Sequence, residues 1–440
     1  MTILARSQNP SADPPRTFSA PQGSASVHLD ALRGLAAFSV FLVHWRIAFF
    51  VESAQIAKPS LLTSIADCFS SLGQQWVMVF FVLSGYLVGG SVLRNMHDGR
   101  WSWREYLLAR LSRLYIVLLP ALVLGAAFDR MGMNLPGSEL HYGLHGGVGA
   151  VILNARLNLT LPVFLANVSF LQCIPWHGLA GGMMPTFGSN IPLWSLTYEF
   201  WYYMAFPVLV LALSPRQSRR ARLACTLALI LWVWFVGERI TLFSIPWLMG
   251  VAIRTLPAFP ALRAAWARRA VIGAAIALFT AGLVVSRSNP TWFMQILVAE
   301  GAAMLVWVLL GCASGKTPGW YNRLAQRAAR SSYTLYLIHT PFLVFLKTAL
   351  HLPLFQPSWG SLVPTLAVMA VILIYAQLVY EFFEKHTDQV RGWIMEHWMG
   401  RPMVVAQAFS RALPPTRGKP VVSAVEAESL QSAEAEKIPA

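Results

Sequence analysis

"LDALRGLAAFSVFLVHWRIAFF", residues 29–50, is apolar enough to cross a bilayer, yet it carries Arg33 near one end and His44 well inside. A spanning helix needs about 20 mainly apolar residues. Ionisable groups within such a helix usually face a cavity or a partner, because hydrocarbon offers them nothing. Eleven residues of α-helix turn through about 1100°, so Arg33 and His44 fall within about 20° of the same face, about 16 Å apart along the axis. The pair is expected to look into one groove.

The rest of the chain has the same character. Of its 440 residues 56% are hydrophobic and 12% charged, and a mean hydropathy of +0.53 lies outside the range of soluble domains. Ten segments read as spans: 31–51, 74–93, 114–128, 192–213, 223–237, 240–253, 270–286, 292–312, 332–350 and 362–384. The fold class is therefore all-α, a polytopic membrane bundle of about ten transmembrane helices. An even count puts both termini on one side, and the positive-inside rule makes that side the cytoplasm. The inner loops then carry 17 Lys/Arg against 5 in the outer loops. The two spans at 223–237 and 240–253 are short and joined only by "ER", which suggests a tight hairpin.

Three stretches follow: a polar, disordered N-terminus (1–28) with no apolar core for a signal peptide, a membrane domain (29–386), and a cytoplasmic, largely disordered tail (387–440). The net charge of +15 comes from short basic clusters between apolar runs, which fits topology and no nucleic-acid partner. Cys68 and Cys173 both fall in outer loops, where a disulfide is allowed; Cys225 and Cys312 fall in spans. The long outer segment 129–191 holds an apolar patch, "LPVFLANVSFLQCIPW", suited to a re-entrant or interfacial helix. Its "NLT" and "NVS" match a glycosylation sequon that often occurs by chance.

Further polar groups sit where lipid should be. "FFVLSGYLVGG" (80–90) places Ser84 and Gly85 mid-span, "PLWSLTYEFWYYMAFP" (192–207) buries Glu199, and "SSYTLYLIHTPFLVF" (331–345) buries Tyr336 and His339, with Glu300 similarly placed in the span at 292–312. A carboxylate in such a span must be paired, hydrogen-bonded or protonated. No pair shows the i, i+3 or i, i+4 spacing of metal ligands, so proton transfer is expected and metal is not. "REYLLARLSRLY" (104–115) reads either as an ordinary inner loop or as a seat for a phosphorylated ligand through Arg104, Arg110 and Arg113. Intramembrane His and Glu also build the relays of proton-coupled transporters, which is the rival reading.

"LDALRGLAAFSVFLVH", "FFVLSGYL", "RLSRLY", "WSLTYEFWYY" and "SYTLYLIH", in that order, resemble the motifs of the acyltransferase type 3 family over residues 28–386. The resemblance implies an integral-membrane acyltransferase of the bacterial inner membrane. It implies transfer of an acyl group, often acetyl, from cytoplasmic acyl-CoA to an acceptor such as a saccharide or lipid-linked glycan. By it, His44 matches the essential histidine, Arg33 its basic companion, Arg110 and Arg113 the arginine motif, and Glu199 the acidic residue of the Trp-Ser-Leu motif. The expected roles are His44 as base, Glu199 orienting it, and Arg33, Arg110 and Arg113 holding the donor, with Ser84, Tyr336 and His339 as further candidates. Two departures stand out: Pro120 comes seven residues after Arg113, and His386 stands where a proline often follows "FFEK".

Overall fold

The computed structural model describes residues 23–51, 56, 67, 70–138, 155–175, 182–260, 262–288, 291–313 and 316–399. It is helical throughout, and no strand occurs among the described residues. The long elements are α1 (Ser24–Phe49), α2 (Gly73–His97) and α3 (Trp103–Met133), then, after the short α4 (Leu161–Val168), α5 (Leu193–Leu213) and α6 (Arg219–Leu242). They continue as α7 (Ser244–Ala252), α8 (Ala265–Ser288), α9 (Trp292–Cys312), α10 (Gly319–Arg330), α11 (Ser332–Ala349), α12 (Trp359–Phe382) and α13 (Thr387–Met399).

Eight helical runs among the described residues are long and apolar enough to cross a membrane. α11 is not one of them, because Tyr336, His339, Thr340 and Lys347 dilute its hydropathy. It is nevertheless a largely buried helix, packed between α1, α3 and α12. α6 and α8 are peripheral, and Leu223, Leu227, Ile230, Leu231 and Trp234 cover the outside of α6. That is the arrangement of a protein whose solvent is lipid: apolar side chains outside, polar ones within.

Four local features set the site. Gly85 and Gly250 let α2 and α7 touch backbone to backbone; a Cβ on Gly85 would sit 1.8 Å from the Trp247 carbonyl oxygen, and one on Gly250 2.0 Å from that of Val82. Small residues allow such contact where any side chain would hold helices apart. Next to it, residues 85–89 form one π-helical turn in α2, a widening of the kind that often accompanies functional sites. Gly237 breaks α6 with φ +79°. Beyond it the chain turns back, since Trp247 lies by Gly85, Val251 by Gly89 and Arg254 by Gly90, so α7 runs alongside α2 in the same direction. The sharp turn expected between 237 and 240 is thus made at a single glycine.

Two expected boundaries shift. α1 begins at Ser24, and α13 continues the fold to Met399 and packs on α3, so helix extends beyond 29–386 at both ends. Residues 1–22 and 400–440 lie outside the described residues. The arginines expected in a loop before residue 114 are on α3 itself, which starts at Trp103, capped by Ser102 accepting from the Glu105 amide (3.4 Å). "SWRE" is a capping-box pattern, the signal that marks this start. α3 then runs through Pro120 unbroken.

α4 lies in the apolar patch of segment 129–191. Asn167 in its "NVS" is fully buried; its Nδ2 donates to the carbonyls of Val163 (2.8 Å) and Pro185 (3.0 Å), and its Oδ1 accepts from the Phe187 amide (3.2 Å). That carboxamide is a structural strut, inaccessible to a glycan. Cys173 is a free thiol, and Cys68 lies outside the described residues.

Candidate active site

α1 and α11 cross with two histidines in contact. His339 Nε2 is 3.1 Å from His44 Nδ1, and the ring centroids are 5.0 Å apart. Each Nδ1 also meets the carbonyl four residues earlier, Val40 for His44 (3.0 Å) and Leu335 for His339 (2.8 Å). A neutral imidazole has one N–H. His339 commits its Nδ1–H to Leu335, so its Nε2 accepts, and His44 Nδ1 must be the donor, shared between Val40 and His339. The lone pair of His44 Nε2 is left over, and no described residue pairs with it. The i, i−4 carbonyl bonds that set these tautomers follow from helix geometry alone.

His44 lines a cavity of about 640 Å³ together with Val40, Gln74, Trp194, Tyr198 and Tyr336. His339 is fully buried behind it. Cys173 also lines the cavity, but burial pushes its thiol up to about 11, against a smaller opposing effect of Arg239. At neutral pH it is a thiol, a poor nucleophile.

From the cavity a series of polar side chains leads along α5. Ser195 and Tyr336 hydroxyls are 2.6 Å apart, with the Ser195 hydroxyl directed to the Pro192 carbonyl, so Tyr336 donates. One turn on, Glu199 Oε1 accepts from Ser84 Oγ (2.7 Å) and from the Tyr203 hydroxyl. Ser84 Oγ in turn receives Trp247 Nε1–H (3.2 Å), delivered by the glycine contact between α2 and α7. This corrects the expected Glu199 role: the carboxylate is held by Ser84 and Tyr203, not by His44, whose ring is oriented by Val40 and His339.

Arg33 also sits elsewhere than expected. It does not line the His44 cavity; on the face of α1 between them lie Ala37, Val40 and Phe41, all nearly fully buried. Arg33 Nη2 donates to the Ala329 carbonyl (2.9 Å) and lies 3.9 Å from Asp30. Arg113 and Glu384 are within electrostatic reach of it, and Arg110 and Arg113 are within reach of Arg391. Glu384 accepts from the Thr334 hydroxyl (2.5 Å) and amide (3.2 Å) at the start of α11. Tyr333, within reach of both Glu199 and Glu384, sits between this cluster and the Glu199 group. The two ends are therefore connected, but through α5 and α11 and not along α1.

Arg33, Arg110 and Arg113 do share one end of the bundle; Arg110 stacks against the Tyr106 ring at 5.8 Å. Arg391 and Glu384 join them: Arg391 falls in the stretch expected to be tail, and Glu384, at the end of the span expected at 362–384, is not among the sequence candidates. Glu300 stands apart on the exposed face of α9. No group of three or more His, Cys, Asp or Glu suited to a metal occurs among the described residues.

A polytopic helical bundle with ionisable groups around an internal cavity is the class this fold defines. The chain belongs to the acyltransferase type 3 family: the family's acyltransferase domain model matches residues 27–381. It is an acyl-group transferase. One relative, acyltransferase MdmB of Streptomyces mycarofaciens, is 24% identical over 359 residues, covering 74% of this chain and 79% of its own length. An uncharacterized protein of Haemophilus influenzae is 24% identical over 162 residues, 35% of this chain and 56% of its own. No solved structure matches.

Proposed function

We propose that this chain takes an acyl group, acetyl by expectation, from cytoplasmic acyl-CoA and gives it to a hydroxyl of a saccharide or lipid-linked glycan. The acceptor would be reached from the opposite face of a bacterial inner membrane. The observation that carries the reading is the unshared Nε2 of His44 at the wall of a cavity large enough for a small substrate group. Histidine is the side chain whose ordinary proton affinity suits a base near neutrality.

The reaction balances with the residues in place. His44 Nε2 accepts the acceptor's hydroxyl proton as the oxygen attacks the thioester carbonyl. The C–S bond breaks, and the imidazolium returns the proton to the leaving thiolate. Phe41, edge-on to His339 at 5.7 Å, and the other apolar walls keep bulk water from the thioester. Arg33, Arg110 and Arg113 supply cations for the donor's phosphates, and the Glu199–Ser84–Tyr203 group and Tyr336 line the route between.

The topology we assign has ten crossings with both termini cytoplasmic. Three observations support it: the start of α1 meets the starts of α3 and α11 and the end of α12 around Arg33; α6 and α7 reverse at Gly237; and basic residues crowd the loops at that same end.

Membranes containing the full-length protein, fed labelled acetyl-CoA, test this directly. Label should pass to a hydroxyl-bearing acceptor, and His44→Ala should abolish the transfer at unchanged protein level. Transfer that survives in His44→Ala removes His44 from the chemistry.

A further inference from the structure

Beside the His44 cavity lies a second one of about 410 Å³, and Gln74, Glu238 and Arg239 line both. The two are thus neighbours that share these three side chains, with His44 in the larger one. Glu238 and Arg239 stand there because Gly237 breaks α6 one residue earlier; a Cβ at Gly237 would approach Pro175 Cγ to 2.6 Å. The smaller one adds Trp292 and Gln295. Gln295 is only 3% exposed, yet its Oε1 has no partner among the described residues. A buried acceptor oxygen left unpaired is costly unless something occupies it, so it points to a ligand donor in this space.

The lining has a definite chemistry. One carboxylate, one guanidinium and two carboxamides give a wall of no net charge, rich in both donors and acceptors. An anionic group would meet Glu238, and a cationic one Arg239. Vicinal hydroxyls can engage carboxylate, guanidinium and carboxamide groups pairwise, while the Trp292 indole offers an apolar face beside them.

Resting on the acyl-transfer reading above, we propose that this side cavity is a subsite for an uncharged polyhydroxylated ring of the acceptor, next to the hydroxyl that reaches His44. The acceptor is then longer than one ring, with the acylated ring in the larger cavity and its neighbour held by Gln74, Glu238, Arg239 and Gln295.

Binding can be read without any chemistry, from quenching of tryptophan fluorescence in full-length protein held in nanodiscs. The probes are neutral methyl glycosides of glucose, galactose and mannose, the methyl glycoside of a β-1,4-linked glucose disaccharide, and methyl glucuronide. At least one neutral glycoside should quench saturably, the disaccharide at least 10-fold more tightly than the monosaccharide, and the glucuronide at least 10-fold more weakly. Glu238→Gln and Gln295→Leu should each erase the disaccharide's advantage, and His44→Ala should keep it. No saturable quenching by any neutral glycoside, equal binding of the glucuronide, or an advantage that survives in both Glu238→Gln and Gln295→Leu overturns the subsite. Loss of acyl transfer is not part of this readout, so a wrong reading of the reaction and a wrong subsite are told apart.

Discussion

At His44 the decisive partner is another imidazole, where better known triads place a carboxylate. A carboxylate would stabilise the charged imidazolium strongly. His339 Nε2 instead accepts a hydrogen bond from the neutral ring (3.1 Å) and so fixes which nitrogen is basic. His339→Ala should therefore lower kcat on the order of 10- to 100-fold, a part of the 10²–10⁴ that a positioned base supplies, with the donor's KM unchanged. His339→Gln, whose carbonyl can accept the same bond, should recover part of the loss. A donor KM that rises in step with the fall in kcat would show that His339 shapes binding and not the base. The charged group one turn below Tyr336 has a separate role. Glu199→Gln keeps a carbonyl for Ser84 and Tyr203 but removes the charge between the arginine cluster and the cavity. Its expected mark is a change in donor KM of several-fold, with His44 chemistry otherwise retained. Both histidines and Glu199 were legible in the sequence as polar groups misplaced in apolar runs. Their pairing was not, because spacing within one helix says nothing of which neighbouring helix brings the partner. Thus Glu199 was assigned to His44, although its bonds go to Ser84 and Tyr203.

Between helices, the glycine contact of α2 and α7 is the joint on which the Glu199 group depends. It brings Trp247 to Ser84, and a methyl group at either glycine would have to displace backbone: the 1.8 Å and 2.0 Å approaches leave no room for one. Overpacking of this kind costs typically ~1–3 kcal/mol. Gly250→Ala is expected to lower the thermal midpoint in detergent by several degrees and to weaken transfer through the shifted Trp247. An unchanged midpoint would mean that the helices separate freely there. Element existence was well marked by hydropathy, since every one of the ten segments falls on helix. Element ends were less so. The start of α3 is set by a cap at Ser102 that lies outside the apolar run, whereas α11, expected at 332–350 and found at Ser332–Ala349, keeps its bounds although polar side chains lower its hydropathy. α13 follows a polar stretch, and it was read as tail because its ordering comes from packing on α3, a tertiary cause invisible to local pattern.

For the molecule as a whole, the placement of charge makes the two faces unequal, and the proposed direction of transfer depends on that. The Arg33 end gathers the starts of α1, α3 and α11 with the end of α12; Phe50 pairs with Phe355 at the other, where Lys347 donates to the Ala48 carbonyl and Arg46 meets Asp67 (3.1 Å). The proposed transfer draws its donor from the cytoplasm, so it needs the Arg33 end on that side, the orientation that the excess of basic residues in its loops favours. Single cysteines placed in a chain otherwise freed of them would decide it. Gln217, between α5 and α6, and Gln356, before α12, are both exposed and lie at opposite ends. In intact cells a membrane-impermeant maleimide should label Gln356→Cys, and Gln217→Cys only after the membrane is opened. The reverse pattern would turn the molecule over, put the arginines on the side without acyl-CoA, and require a different donor. Labelling of both in intact cells would put them on the same side with an even number of crossings between them, and would overturn the assigned topology, which has five there: α6, α7, α8, α9 and α11.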